Sequence, residues 1–426
     1  MAFNDAQKMA IRHREGPMLV LAGPGSGKTT VITNRVRYLT EKAGVDPSHI
    51  LVITFTRAAA REMKERYEQI TQAGCSRVSF GTFHSVFFLI LKLAYRYKAA
   101  DIVREEQRVQ FIKEMLSKCD LEVEDEGEFI SSVLSEISMV KGDIMDMDHY
   151  YAKNCSEDMF RQLYRGYEAR LRQNRLLDFD DMLVMCYELF KERKDILSAW
   201  QDKYRYILID EFQDINRIQY EIVKMLALPR NNLFIVGDDD QSIYRFRGAK
   251  PELMLGFERD YPGAGKILLD TNYRCSRQIV EAAGRVISHN RTRFPKEIRA
   301  ARGKGHPVII KEWQEPIDET LGIVTEIRGY ASMGISYNDM AVLYRTNMGP
   351  RLLISKLMEY NIPFYMRDAV PNLYEHWISG NVISYIRAAL GDLSRSNVLQ
   401  IINRPKRYIS RDALEDRQVN WESVKS

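Results

Sequence analysis

The sequence has little cysteine and no long hydrophobic run. An odd number of isolated cysteines without CxxC spacing argues against a disulfide framework and against a structural zinc site. The five cysteines among the 426 residues are Cys75, Cys119, Cys155, Cys186 and Cys275. No stretch approaches the roughly 18 to 20 apolar residues of a membrane helix, and the N-terminus lacks the apolar core of a signal peptide. These absences predict a protein of a reducing compartment, the cytoplasm, with no membrane contact.

A strong charge of either sign is also missing. Lys and Arg number 62 against 58 Asp and Glu, and the net charge of +4 neither indicates nor excludes a nucleic-acid partner. Hydrophobic residues at 45% and charged residues at 28% are ordinary globular values, which exclude a disordered or collagenous chain. At roughly 150 residues per domain, the length predicts about three domains, or two with a large insertion.

Short apolar runs alternate with amphipathic stretches at the start of the chain, a rhythm typical of a parallel α/β sheet. The runs predicted to be buried strands are Met18 to Ala22, Leu51 to Phe55, Tyr206 to Ile209 and Leu233 to Gly237. Between the second and third runs, segments such as Glu105 to Lys118 and Asp158 to Arg172 favour helices. A helical insertion therefore interrupts the first domain. A second α/β rhythm begins near Ile267, with apolar runs at Val308 to Ile310 and Met340 to Tyr344.

The segment AGPGSGKT connects the first predicted strand to a helical pattern. It fits the phosphate-binding motif GxxxxGK[ST], except that Ala22 replaces the first glycine. In this motif backbone N–H groups fold around phosphate oxygens, Lys28 reaches the β- and γ-phosphates and the Thr29 hydroxyl binds Mg²⁺. A simple glycine-rich turn is the alternative, but it leaves the Lys and Thr in register unexplained. The predicted nucleotide-binding residues are Ala22, Gly23, Pro24, Gly25, Ser26, Gly27, Lys28, Thr29 and Thr30.

Two carboxylates follow the third predicted strand, at the edge where open α/β sheets bind their ligands. Asp210 would hold Mg²⁺, and Glu211 would orient and polarise the attacking water. Taken alone, the pair could equally be solvated carboxylates that begin the next helix. The phosphate-binding motif upstream favours the catalytic interpretation.

Polar and aromatic residues follow the fourth predicted strand. Gln241 can hydrogen-bond to a γ-phosphate and to groups beside it, so it is placed to detect whether that phosphate is present. Tyr244, Phe246 and Arg247 come shortly after it. Aromatic residues interleaved with arginine suit base stacking, although a partly buried aromatic pair is an equally common arrangement.

Taken in order, these segments resemble the superfamily 1 DNA helicases of the UvrD/PcrA/Rep type. The resemblance runs from Phe3 to about Tyr408, and its motifs are FNDAQKMAI, AGPGSGKTT, ITFTRAAAREMKERY, GTFHSV, LDFDDML, DEFQD, VGDDDQSIYRFRGA, LDTNYRCSRQIV, AVLYRTN and IINRPKR. It implies an α/β P-loop NTPase fold of RecA-like type. The implied parts are a discontinuous first RecA-like domain (1–90 and 195–268), a helical insertion subdomain (91–194), an incomplete second RecA-like domain (269–373) and the start of a helical subdomain (374–426).

The resemblance also assigns roles to single residues. It implies that Gln7 reads adenine, although its capping-box spacing from Asn4 would also suit a helix N-terminus. Tyr273 would stack on the adenine, and Arg274 and Arg247 would contact the γ-phosphate. The implied catalytic set is Lys28, Asp210, Glu211, Gln241, Arg247 and Arg274. The implied DNA contacts are Phe55, Thr56, Arg57, Thr82, Phe83, His84, Tyr244 and Phe246.

Two departures from the family pattern stand out. Many relatives carry Arg where this chain has Thr30, so one face of the adenine would be held less tightly. The family's GLEF-type segment and its late arginine-bearing segment are not found, which predicts an N-terminal portion without a second γ-phosphate arginine. From Arg274 to Lys304, nine Lys and Arg stand against two Glu. That stretch suits phosphate contacts, and a solvated basic surface is the alternative.

The leading prediction is an ATP-dependent DNA helicase that moves 3′ to 5′ and uses ATP and Mg²⁺. Its predicted partners are single-stranded DNA, single-strand/duplex junctions and repair or replication proteins. The alternative is a nucleotide-gated DNA- or partner-binding module without efficient turnover. A P-loop kinase for a small substrate would account for Lys28 and Asp210, but not for Gln241 and the aromatic loop.

Overall fold

The structure is a computed structural model that describes residues 3–72, 76–117, 125–367, 372, 374, 376–405, 407 and 409. The chain divides into two compact units, Met1–Val308 and Ile309–Ser426. The first unit contains a large parallel sheet with helices on both faces, and the second is built from helices.

Six parallel strands form the sheet of the first unit. They are β1 (Met18–Ala22), β2 (Ile50–Thr54), β3 (Ser79–Thr82), β4 (Tyr206–Ile209), β5 (Leu233–Gly237) and β6 (Gly265–Leu269). Their order across the sheet is β3-β2-β4-β5-β1-β6. In the register, Leu19 lies opposite Ile235 and Val52 lies opposite Leu208. The carboxyl ends of β4, β5 and β1 are therefore neighbours at one edge.

Alternate residues of β1, β2, β4 and β5 face two separate hydrophobic cores. Leu19 and Ile235 belong to one core, whereas Val20 and Phe234 belong to the other. A parallel sheet covered on both faces needs apolar residues at nearly every position. This requirement explains why the strands appear in the sequence as continuous apolar runs.

Helices cover both faces of this sheet. One face packs against α1 (Asp5–Arg12), α2 (Lys28–Glu41) and α3 (Arg57–Thr71). The other packs against α4 (Phe83–Tyr95), α8 (Phe179–Glu192), α9 (Lys194–Lys203), α10 (Arg217–Ala227), α11 (Pro251–Leu255) and α12 (Phe257–Asp260). The segment after β2 enters α3 through Thr56, whose hydroxyl caps the helix by accepting from the Ala59 N–H at 3.1 Å.

A helical insertion with its own core lies between β3 and β4. Its helices are α5 (Glu105–Leu116), α6 (Glu126–Gly142) and α7 (Glu157–Gln173). The buried Lys141 Nζ lies 2.6 to 3.1 Å from carboxylate oxygens of Glu168, Asp178 and Asp181. Burial opposes the charge on Lys141, but these three carboxylates outweigh it and raise its pKa. Since Asp178 and Asp181 begin α8, the ion cluster joins the insertion to a helix of the sheet's core.

After β6 the chain forms β7 (Thr271–Asn272), α13 (Arg277–Ile287) and β8 (Arg299–Ala300), and β7 pairs in parallel with β8. The helices of the second unit are α14 (Pro316–Ser332), α15 (Arg351–Glu359), α16 (Trp377–Ala389) and α17 (Arg395–Ile401). Val324, Leu353 and Leu357 are buried together between α14 and α15.

The strands predicted at 308–310 and 340–344 are not formed. Both segments are described without β pairing, and Ile310 and Leu343 are each 92% exposed. An apolar run becomes a strand only where a neighbouring strand satisfies its backbone N–H and C=O groups. No described segment does so here, which corrects the expectation of a second sheet around these two runs.

Two expectations from composition can be compared with the structure. Among the described residues, no helix combines the length and the apolar character needed to cross a membrane. Cys155, Cys186 and Cys275 carry free thiols. Cys75 and Cys119 lie outside the described residues.

Candidate functional site

A glycine-rich loop joins β1 to α2. Gly25 and Gly27 have φ angles of 65° and 86°, a left-handed conformation that residues with a Cβ rarely adopt. Gly27 caps α2 without any side-chain hydrogen bond. The loop and the first turn of α2 therefore present backbone N–H groups and the positive end of the helix dipole to one point, which is a binding site for an anion.

The loop opens into a pocket of about 490 Å³, a volume that suits a small ligand. The pocket is lined by Gly25, Ser26, Gly27, Lys28, Thr29, Thr30, Glu62, Arg66, Glu211, Gln241, Tyr273 and Arg274. Most of the predicted nucleotide-binding residues thus face one space. Ala22 is instead buried at the end of β1, and the Gly23 N–H donates to the Leu269 carbonyl at 3.2 Å.

Lys28 and Glu211 form an ion pair in this pocket. The Lys28 Nζ lies 2.7 Å from Glu211 Oε2, and the Gln213 side-chain amide donates to the same oxygen at 2.9 Å. Glu211 has φ 50° and ψ 45°, a left-handed conformation that costs roughly 1 to 2 kcal/mol outside glycine. Backbone strain of this kind concentrates at functional sites. The carboxylate predicted to orient water is thus held by the lysine predicted to bind phosphate.

Asp210 lies at the end of β4 with a carboxylate oxygen that lacks a protein partner. The residue is 5% exposed, and its Oδ1 accepts no hydrogen bond. Burial first, and then the neighbouring Glu211, raise the pKa of Asp210 to about 7. An unpaired buried carboxylate oxygen that lies within the electrostatic reach of Lys28 fits a bound cation or its water. Within the described residues no three acidic, His or Cys side chains group as metal ligands, so phosphate or water oxygens would complete a Mg²⁺ shell.

Gln7 both caps α1 and contacts the glycine-rich loop. The Gln7 N–H donates to Asn4 Oδ1 at 2.8 Å, and the Asn4 N–H donates to Gln7 Oε1 at 3.1 Å. The Gln7 side-chain amide also donates to the Ser26 carbonyl at 3.0 Å. The capping box is therefore formed, and the adenine contact stays a prediction. Asn4 Nδ2 donates to the Tyr273 hydroxyl at 3.0 Å, which places the second predicted adenine contact beside α1.

Sequence reasoning missed Arg66 of α3 as a pocket residue. Its Nη1 lies 3.4 Å from the Thr30 hydroxyl, and its Nη2 donates to Glu62 Oε1 at 2.9 Å. A guanidinium from α3 thus lies beside Thr30, the position where the family resemblance implies an arginine. The four-residue spacing of Glu62 and Arg66 on a helix predicts an ion pair from the sequence alone. The packing of α3 against α2, which brings this pair to the pocket, cannot be read from the sequence.

The segment that carries Tyr273 and Arg274 docks on the glycine-rich loop. The Tyr273 N–H donates to the Gly25 carbonyl at 3.0 Å, and the Arg274 N–H donates to Asn272 Oδ1 at 2.8 Å. A Cβ added to Gly25 would lie 2.8 Å from the Arg274 Cβ. Only glycine therefore allows this approach, which brings an arginine from beyond β7 to the anion-binding loop.

Three of the aromatic residues predicted to contact DNA form a cluster, in which Phe55 follows β2 and Tyr244 and Phe246 follow β5. The rings of Phe55 and Tyr244 stack at 5.0 Å with an interplanar angle of 28°, and Phe246 lies 6.1 Å from Tyr244. Phe246 is 67% exposed. The Arg247 guanidinium lies 5.4 Å from the rings of both Tyr244 and Phe246 and is not among the residues that line the pocket. Its contact with a γ-phosphate stays a prediction.

The predicted contacts after β3 are partly structural. Phe83 is 3% exposed and packs 6.0 Å from Phe87 in the core, so its ring has no face for a base, and we correct that prediction. The Thr82 hydroxyl accepts from the Ser85 N–H at 3.3 Å and caps α4. His84 meets Phe179 edge-on at 5.5 Å, and burial followed by the charge of Arg57 lowers the pKa of His84. Thr56 and Arg57 are exposed at the start of α3.

The basic stretch from Arg274 to Lys304 is partly neutralised within the protein. Lys296 and Arg293 pair with carboxylates that follow β5, and Arg277 pairs with Glu281 at 2.6 Å. These side chains are committed to protein partners. The local excess of positive charge available for phosphates is thus smaller than the sequence indicates.

Comparison with known proteins gives two family matches. Residues 3–262 match the UvrD/REP helicase N-terminal domain, and residues 267–422 match the UvrD-like helicase C-terminal domain. The chain is 37% identical over 421 residues to the putative ATP-dependent DNA helicase YjcD of Bacillus subtilis, covering 97% of this chain and 55% of that protein. It is also 37% identical over 421 residues to the ATP-dependent DNA helicase PcrA of Staphylococcus epidermidis, covering 57% of that protein. The chain spans about half the length of these curated relatives.

Proposed function

Because the chain belongs to the UvrD/REP helicase family, we propose that it works as the ATP-binding motor part of a DNA helicase. In this proposal it binds and hydrolyses ATP, moves 3′ to 5′ along single-stranded DNA and acts at single-strand/duplex junctions. One observation carries the proposal: the segment after β5 runs from the pocket to the exposed aromatic cluster. Gln241 lines the nucleotide pocket, and Tyr244 and Phe246 follow it into the exposed aromatic cluster.

The pocket supports a role in binding a nucleoside triphosphate. The loop N–H groups and Lys28 would hold the β- and γ-phosphates, and Arg274 would add charge near the γ-phosphate. Thr29 and Asp210 would hold Mg²⁺, which neutralises phosphate charge when bound. Tyr273 and Gln7 would contact the base. Lys28, Thr29, Tyr273 and Arg274 line the pocket, and Gln7 contacts its loop. Asp210 precedes Glu211, which also lines it.

The ion pair between Lys28 and Glu211 suggests how binding prepares hydrolysis. A phosphate oxygen that reaches the Lys28 ammonium competes directly with Glu211 Oε2 for it. Once Glu211 is released from Lys28, the Gln213 amide at 2.9 Å still holds its carboxylate. Its carboxylate can then orient a water for attack on the γ-phosphate.

The aromatic cluster supports a role in binding single-stranded nucleic acid. Bases stacking on Phe246, with Tyr244 and Phe55 behind it, would gain roughly 1 to 3 kcal/mol each with little sequence preference. A motor that steps along any strand requires such tolerance. We place this activity in the cytoplasm, with repair or replication proteins as partners, on family resemblance alone.

A second candidate function is a nucleotide-gated DNA-binding module without efficient turnover. The observation behind it is again the pairing of Lys28 with Glu211, because a pair that persists when nucleotide is bound would occupy two of the groups that hydrolysis needs. In such a module nucleotide would change DNA affinity, and hydrolysis would stay slow.

Separate measurements of binding and turnover distinguish these functions. ATPγS binding is measured by competition with a fluorescent analogue, and ATP hydrolysis is measured with and without oligo(dT). Binding together with DNA-stimulated hydrolysis supports the motor, whereas binding without hydrolysis supports the module. Lys28→Met is the control and should weaken ATPγS binding by more than about tenfold, since it removes a charge-assisted contact. A wild-type chain that binds no ATPγS would refute both functions.

A further inference from the structure

A buried lysine gathers three carboxylates directly after β5. The Lys296 Nζ lies 2.6 Å from Asp238 Oδ1 and 3.1 Å from Asp240 Oδ2, and it also contacts Asp239. The Lys296 side chain is 0% exposed. Arg293 pairs with Asp240 through two nitrogen atoms at 2.6 Å each. The three aspartates and Arg293 thus form one cluster of charged side chains with the buried Lys296 ammonium.

Burying an ammonium is costly unless carboxylates compensate for the lost hydration. Burial acts to lower the pKa of Lys296, but attraction to Asp238 and hydrogen bonds to Asp238 and Asp239 outweigh it and raise the pKa. Lys296 therefore stays charged. Removing it would leave carboxylates close together without a counterion, so Asp238 and its neighbours would move apart.

The same cluster holds the side chain predicted to detect the γ-phosphate. Gln241 Nε2 donates to Asp238 Oδ2 at 2.6 Å, while Lys296 occupies the other oxygen of that carboxylate. The Gln241 N–H also donates to the Asp238 carbonyl at 2.9 Å. Lys296 and Gln241 therefore bind different oxygens of one carboxylate, and the lysine fixes the position of that carboxylate.

The carboxylate is also connected to the water-orienting residue. The Asp238 N–H donates to Gln213 Oε1 at 3.0 Å, and the Gln213 amide donates to Glu211 Oε2 at 2.9 Å. A continuous series of hydrogen bonds thus runs from Lys296 through Asp238 and Gln213 to Glu211. Both side chains that would act at the γ-phosphate depend on the position of Asp238.

We propose that Lys296 is a positioning residue for the γ-phosphate contact. By fixing Asp238, it sets the orientation of the Gln241 amide at the pocket and so favours a nucleoside triphosphate over a diphosphate. The inference rests on the proposed function, because it requires nucleotide in this pocket. Lys296 follows Arg274 in the chain and does not line the pocket. In this proposal it acts on the choice between triphosphate and diphosphate through Asp238 and Gln241.

The test measures the preference for triphosphate, which is the dissociation constant for ADP divided by that for ATPγS. Competition with a fluorescent nucleotide gives both constants for the wild type, Lys296→Met, Gln241→Ala and the double variant. We expect Lys296→Met and Gln241→Ala each to reduce the preference by about three- to tenfold, the equivalent of about one hydrogen bond. The double variant should lose no more than either single one. Lys113→Met, which removes an ion-paired surface lysine of α5, should leave the preference unchanged.

A purely structural lysine gives a different result. Equal weakening of ADP and ATPγS by Lys296→Met, or additive losses in the double variant, would overturn the inference while leaving the proposed function intact. A wild-type chain that binds neither nucleotide would instead refute the proposed function and the inference together. If circular dichroism shows Lys296→Met to be unfolded, the same comparison is made with Lys296→Gln. The glutamine amide is neutral and cannot replace the contacts of the ammonium with three carboxylates. The same loss of preference for triphosphate is therefore expected.

Discussion

Replacing Arg66 with methionine is expected to weaken ATP binding through the base alone. Arg66 lies at the pocket beside Thr30, where the guanidinium can reach an aromatic base. Methionine keeps the helix propensity and most of the apolar stem of arginine, so α3 should remain intact. The substitution therefore removes a planar cation from the pocket and little else.

The size of the effect follows from two competing contacts. A guanidinium on an aromatic face is worth roughly 0.5 to 2 kcal/mol, depending on its exposure. The pair that Arg66 forms with Glu62 has side chains 39% and 64% exposed, and such a surface pair is worth less than about 1 kcal/mol. Nucleotide can therefore draw Arg66 from Glu62 at small cost. A net loss of about 1 kcal/mol corresponds to about fivefold weaker binding of ATP.

Isothermal titration with ATP and with inorganic tripolyphosphate separates a base contact from a phosphate contact. Arg66→Met should weaken binding of ATP and leave tripolyphosphate unchanged, because tripolyphosphate has no base. Arg61→Met is the matched control, since Arg61 is exposed on the same helix and does not line the pocket. Equal losses for ATP and tripolyphosphate would show that Arg66 binds phosphate. An effect of Arg61→Met as large as that of Arg66→Met would show a general charge effect, and either result would refute the reasoning.

Three further outcomes are expected. Phe246→Ala should weaken single-stranded DNA binding by roughly 1 to 3 kcal/mol at every salt concentration of a fluorescence titration, and unchanged affinity would contradict base stacking. Arg35→Leu should lower the free energy of unfolding in urea by about 2 to 4 kcal/mol, because the buried guanidinium donates to carbonyls at the end of α1 and lies 4.3 Å from the Phe234 ring. A loss below about 1 kcal/mol would contradict this role. Burial, and then Glu211, raise the pKa of Asp214 to about 6. The folded state therefore binds more protons than the unfolded state between about pH 4 and 6. As the pH rises through that window, this carboxyl lowers the free energy of unfolding. Asp214→Asn should remove this pH dependence. If urea titrations of Asp214→Asn showed the same pH dependence as the wild type, the contribution of Asp214 would be excluded.

Four of the six strands of the first sheet could be predicted because their physical requirement is local. The strand β3 was not predicted, and the run near Ile267, expected to begin a second α/β domain, instead forms β6 and pairs with β1. The predicted strands at Met18, Tyr206 and Leu233 agree with β1, β4 and β5, and the one at Leu51 differs from β2 by a single residue. Burial on both faces leaves a continuous apolar run, which the sequence displays directly. The phosphate-binding loop was equally visible, since its glycines, Lys28 and Thr29 are consecutive.

Contacts between distant segments could not be predicted in the same way. Phe83 is as apolar as Phe246, but Phe83 is buried because α4 packs against the sheet, whereas Phe246 lies exposed after β5. Asp238 and Lys296 are 58 residues apart, so their pairing depends on how the chain returns to the sheet. The apolar runs near Ile310 and Leu343 resemble strands, but pairing depends on a partner that the run itself cannot specify.

The order of strands in the sheet has a consequence for synthesis on the ribosome. Of the six strands, β1 is translated first, yet its neighbours in the sheet are β5 and β6, whereas β2 lies between β3 and β4. When the chain has emerged through β3, a β2–β3 pair can form while β1 has no partner. The phosphate loop can therefore be completed only after the helical insertion has been translated. During that interval an apolar strand and the inner face of α2 lack their native cover, and exposed surface of this kind is prone to aggregation.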